Sequence, residues 1–148
     1  MRRLLFFAIC FLAVLPAFAQ TAEEIEKLLD TDVVSYAQAA RLVLLAAENR
    51  DLSAEAAFTY ASAQEWLPGR ARANDAVRLS GLSLLVMRAF NIRGGAFYNL
   101  TGGAHYAYRE LVYRNIIQGR SDPAMAVSGD LLLFTINRVL SFQETNQL

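Results

Sequence analysis

The sequence predicts an all-α fold, about six helices in three helix–loop–helix pseudo-repeats within one domain. Three observations carry this. Apolar residues recur at the i, i+3, i+4 spacing of a helix face over much of the chain. Capping residues stand ahead of these runs, and Gly, Pro or Asn behind them. A valine-led helix start recurs at Val34, Val77 and Val127, at separations of 43 and 50 residues, within the periods of structural repeats.

The N-terminus reads as a leader. Arg2 and Arg3 form a positive start, Leu4 to Leu15 is an apolar run too short to span a bilayer, and Ala17-Phe18-Ala19 is a small-x-small cleavage pattern. Residues 1–19 are thus expected to be a signal peptide, cut between Ala19 and Gln20, with the domain over 20–148. Export to a bacterial periplasm or to the cell surface follows. Cys10, the only cysteine, lies in mid-run behind Ile9, not in the small-residue setting of a lipidated cysteine. Cleavage leaves no thiol for a disulfide, a nucleophile or a metal. The remaining chain of about 129 residues is long enough to bury roughly two-thirds of its unfolded surface and be held by its core.

Without Arg2 and Arg3, the 14 basic side chains become 12 against 14 acidic. Over the whole chain there is no basic excess to attract nucleic acid or anionic lipid. No later apolar run is long enough for a second membrane span.

The elements follow in order. Thr21 to Asp30 is a short amphipathic helix, with Ile25, Leu28 and Leu29 on one face and Glu23, Glu24 and Glu26 at its positive end. Ser35 to about Glu48 is a second helix, opened by Ser35 and Gln38 at capping-box spacing. Ser53 caps a third, Ala54 to about Trp66, ended by Pro68-Gly69. Asn74 or Asp75 caps a fourth, Ala76 to about Phe90, apolar nearly all round and therefore buried on most sides. Gly81 inside it implies a close neighbour. Asn91 to Gly103 is an ordered loop with a short extended piece, bracketed by two Gly-Gly pairs. The fifth helix runs from about Ala104 to Asn115 and the sixth from about Ser128 to Phe142, with a fraying tail.

The pattern from His105 to Leu140 carries a resemblance. His105-Tyr106-Ala107, Asn115-Ile116-Ile117-Gln118-Gly119, Asp122-Pro123 and Val127-Ser128 resemble the successive parts of a bacterial S-layer homology repeat. The likeness is looser over Ala56 to Phe90 and faint over Glu23 to Glu48. It implies three repeats and a role in holding a protein to cell-wall polysaccharide. That family's Thr-Arg-Ala-Glu helix start corresponds here to Ser35-Tyr36-Ala37-Gln38, Arg78-Leu79-Ser80-Gly81 and Ser128-Gly129-Asp130-Leu131. The motif arginine is missing from all three. Ser35 and Gln38 keep the motif's other property, a capping box.

Residues with chemistry are few. His105 is the only histidine; with Glu110 it supports the alternative reading, a small exported enzyme. It has no companions at metal-ligand spacing, so no metal and no cofactor is expected. No serine has the G-x-S-x-G setting, and the glycine pairs lack the Lys-Ser/Thr of a phosphate loop. Tyr106, Tyr108, Arg109 and Arg114 on the fifth helix, with Arg88 and Arg138, are the candidates for a ligand-binding face, since Tyr and Arg dominate binding hot spots. A competing reading turns Tyr106 and Tyr113 to the core, leaves the arginines in solvent, and makes Arg88 and Arg138 favourable charges at helix C-termini. The leading expectation is a non-enzymatic envelope domain binding wall glycan or an envelope protein, with no nucleic-acid partner.

Overall fold

The computed structural model describes residues 23–119 and 121–146; the leader expected over 1–19 lies outside them. The described chain is all-helical. Seven helices, one more than expected, follow in order: α1 (23–29), α2 (Tyr36–Glu48), α3 (Ala54–Ala63), α4 (Leu79–Ala89), α5 (Ala96–Thr101), α6 (Ala104–Tyr113) and α7 (Gly129–Asn146).

The three valines of the recurring helix start meet in space. The Val34 N–H donates to the Val127 carbonyl at 2.8 Å, Val77 to Val34 at 2.9 Å, and Val127 to Val77 at 3.0 Å. The three bonds close a ring, and all three side chains are fully buried. Two isolated antiparallel bridges, Ser35–Ala76 and Arg78–Ala126, flank it. Valine suits this position because its branched side chain favours extended backbone.

Two residues further on, a second set of three bonds closes in the opposite order. Tyr36 N–H donates to Asp75 O, Leu79 to Met125 O, and Gly129 to Thr31 O, at 2.9–3.0 Å. These donors are the first residues of α2, α4 and α7, whose N–H groups have no partner within their own helices. A carbonyl of a neighbouring segment satisfies each of them. Gly129 is required there: a Cβ would overlap the Leu28 carbonyl at the end of α1.

Around the ring, α4 is the central helix. Residues 81–87 are all buried, as expected for a helix apolar on nearly every side. It packs against α2 and α6, while α3 lies on α2, α5 on α6, and α7 touches α2. The core gathers Val43 and Leu44 of α2, Leu82, Leu85 and Met87 of α4, Leu111 of α6, and Leu132 and Val139 of α7. Gly81 meets its expected neighbour, since a Cβ would overlap the Tyr36 hydroxyl. Ser83 and Thr135, buried on helices, each donate to a carbonyl four residues back at 2.7 Å, which removes the cost of burying a hydroxyl.

The Ser35/Gln38 capping box is present in both directions, and Ser53 caps α3. Several boundaries differ from expectation. The third helix stops at Ala63, because Glu65 turns left-handed at φ 59° and Trp66 N–H reaches back to Ala61 O at 2.9 Å, a Schellman ending. The same ending, with Asn91 and Asn115 left-handed, closes α4 and α6. The fourth helix begins at Leu79, not Ala76, because Ala76 and Arg78 are held extended in the bridges. The expected loop 91–103 contains α5. The tail to Asn146 is helical, and Gln143 Nε2 ties it to Phe90 O at 3.1 Å.

Candidate binding surface

The region around α5 holds the concentration of functional chemistry. Gly94 and Gly95 let the chain enter it: a Cβ on the first would overlap the Tyr98 ring, and on the second would crowd a Glu110 carboxylate oxygen. Glu110 Oε1 accepts the Gly95 N–H at 2.7 Å, and Asn99 Nδ2 donates to Gly94 O at 3.0 Å. Gly102, left-handed at φ 60°, ends the helix by donating to Tyr98 O at 2.7 Å. Tyr98 is the buried residue of α5, and Arg88 Nε donates to its hydroxyl at 3.0 Å.

Between the C-terminal end of α4 and α5 lies an open cleft of about 350 Å³. Met87, Ile92 and Tyr98 supply its apolar lining; Arg88, Arg93, Asn91 and Asn99 supply guanidinium and amide groups. Among the described residues no carboxylate lines it. A pocket with apolar walls and a few convergent donors orients a small polar or anionic group. Beside it, Phe97 stacks on Tyr106 of α6 (centroids 5.7 Å, planes 13° apart), and His105 meets Tyr106 edge-on.

The six residues singled out in the sequence divide. Arg88, Arg114 and Arg138 spend their charge on backbone carbonyls. Arg88 Nη2 lies 3.5 Å from Gly102 O. Arg114 donates to Arg93 O and stands over the Phe142 ring. Arg138 Nη2 donates to Asn115 O at 2.6 Å, with the Gln118 amide at 2.7 and 3.1 Å from Nη2 and Nη1. The Nε atoms of Arg114 and Arg138 are buried without a hydrogen bond; that of Arg114 has Glu110 Oε2 at 3.7 Å. Tyr108 anchors the following loop, its hydroxyl donating to Ser121 O at 2.8 Å. Tyr106 is half-buried against the core, whereas Arg109 is exposed. Tyr113, paired with Tyr106 in the core-facing reading, is instead 84% exposed. Glu110 is engaged by Gly95 and Arg114, and the exposed His105 packs on Tyr106.

The three helix starts that the S-layer resemblance assigns to ligand contact are built differently from one another. Tyr36 and Ala37 are buried, and burial, the larger effect, pushes the Tyr36 phenol above its ordinary range despite nearby Arg78. Arg78 is an N-cap whose side chain makes no capping bond. Ser128 hydrogen-bonds Asp130, which with the Leu131 amide holds that carboxyl below its usual range.

Phe97, Asn99, Asn91 and Arg93 were not among the sequence candidates. The signal for them was the run AFYNLT between two glycine pairs, which is too short to show helical periodicity. Among the described residues no three His, Cys, Asp or Glu side chains gather where a metal ion could be held. No helix among them is long and apolar enough to cross a membrane. Comparison with protein-family models, curated proteins and solved structures finds no match to this chain.

Proposed function

We propose that this chain is an exported binding domain of the bacterial envelope that holds wall glycan, and that it descends from three S-layer-homology-like helix–loop–helix units. The observation that carries the binding reading is the α4–α5 cleft. Arg88, Arg93, Asn91 and Asn99 line it beside the apolar Met87, Ile92 and Tyr98, and among the described residues no carboxylate does. Sugars present hydroxyl acceptors around an apolar ring face, and donors flanking apolar or aromatic groups match both. The ring of Val34, Val77 and Val127 supports descent from repeats, since each valine holds the same place before a core helix. Those helix starts have lost the ligand arginine of the family they resemble, so the reading moves recognition to the cleft. Arg88 then acts partly through Tyr98, which it holds in the wall, while Arg93 and Asn99 supply contacts at the rim. Periplasmic or cell-surface residence rests on the leader-like N-terminus.

The test is retention on isolated wall material. The purified chain is expected to co-sediment with peptidoglycan or wall polysaccharide. An Arg93→Ala variant should bind about tenfold more weakly, the loss of a charge-assisted hydrogen bond to a polar ligand, with an unchanged melting temperature. Wild-type chain that stays wholly in the supernatant refutes the glycan reading.

A further inference from the structure

Charge balance over the whole chain conceals a local excess. Between Arg88 and Arg114 stand four arginines and one acid, Glu110, in a chain whose basic and acidic side chains are equal in number. Glu110 is turned onto the Gly95 amide and Arg114, with its side chain 20% exposed. Arg93 and Arg109 are exposed and, among the described residues, in no ion pair. The same stretch carries the three most exposed large apolar or aromatic side chains among the described residues: Phe97 at 67%, Leu100 at 83% and Tyr113 at 84%.

These groups form one ridge. Leu100 lies a turn beyond Phe97 on α5, so the two share a face. Phe97 stacks on Tyr106, which meets His105. Arg109 and Tyr113 continue from His105 at four-residue steps along α6. Every residue of α5 except Tyr98 is exposed, so the apolar pair stands on a narrow tip between two glycine pairs.

We propose that this ridge docks onto an anionic lipid surface. Leu100 and Phe97 enter the acyl boundary, Tyr113 lies at the headgroup level, and Arg109 meets lipid phosphates. The occupant follows from shape and charge together. A bare leucine gains nothing from a hydroxylated glycan but partitions into hydrocarbon. A narrow apolar tip offers a protein partner little flat area, whereas a bilayer yields around it. Aromatic side chains with basic neighbours are the composition of interfacial anchors.

The test uses the chain as exported from its own leader, sedimented with phosphatidylglycerol–phosphatidylcholine vesicles and with phosphatidylcholine alone. The wild type is expected to favour the anionic vesicles. Leu100→Asp should weaken that partitioning by at least about tenfold. Arg109→Gln should weaken it about fivefold, an effect that fades at high salt. Both side chains are exposed, so circular-dichroism melts should match the wild type. In Leu100→Trp, bromine-labelled acyl chains should quench the new tryptophan above the constant signal of Trp66. Equal sedimentation of wild type and Leu100→Asp, or Leu100→Trp emission untouched by brominated lipid, overturns the proposal. Self-association that Leu100→Asp abolishes, with no vesicle binding, also overturns it and assigns the ridge to a second copy of the chain.

Discussion

Among the described residues four non-glycine positions are left-handed, and three of them are asparagines; the fourth is Glu65. Asparagine tolerates this backbone because its short amide bonds locally, whereas a glutamate Cβ crowds the carbonyl without that return. Glu65→Gly should therefore raise stability by about 1 kcal/mol, seen as a higher urea midpoint at constant slope. A midpoint that stays put or falls would show that the Glu65 side chain has a compensating contact. The same turns explain what became of the arginines. Asn115 and Gly102 lie at left-handed helix ends whose carbonyls point outward, and Arg138 and Arg88 reach them. The sequence shows an arginine on a helix. It does not show that another helix ends within reach, so Arg88, Arg114 and Arg138 read there as ligand contacts or as solvated charge.

At the scale of the element, the helix starts divide by how their first N–H groups are satisfied. The α2 start is local, Ser35 and Gln38 bonding each other's backbone at 3.3 and 2.9 Å, and this box was legible in four residues. Ser35→Ala should cost about 1 kcal/mol, measured by chemical denaturation, and Gln38→Ala added to it should cost little more, because the two act as a unit. Full additivity of the two losses would rule out a coupled box. The α4 start was misread for a physical reason. Asn74 and Asp75 have the composition of a cap, yet the Asp75 carboxylate accepts from Arg72 N–H in a turn of its own. The true first residues, Leu79 and Ser80, donate to Met125 and Pro123 carbonyls, more than 40 residues away in sequence. A cap supplied by a distant backbone has no side-chain signature. The α5 helix was missed differently: six residues hold no full period, and it exists through bonds from Glu110 and within its glycine flanks. The cleft beside it was therefore invisible, although each residue that lines it was in view.

For the whole molecule, the valine spacing was the most informative reading, since it brought together three segments that meet at the centre. The N–H groups of Val34, Val77 and Val127 lie in one buried ring, and opening any one bond exposes the others' partners. In native-state hydrogen exchange the three amides should share one free energy of opening, that of global unfolding. The amides of the exposed α5 tip should exchange by smaller local openings. A ring amide that exchanges through a cheaper, separate event would show that its segment unfolds alone.

The direction of those bonds has a consequence for growth. In a solenoid the last unit presents what the first unit presents, so a gene duplication lengthens the array and stability is a sum over neighbours. Here Val34 donates to Val127, which means the last segment is already bonded to the first. Among the described residues, none of the three valine N–H groups is left to receive a further segment. A further segment spliced into the chain would have to break a bond of the ring before it could join. The three valine segments thus form a closed set, whose number the bonding itself limits.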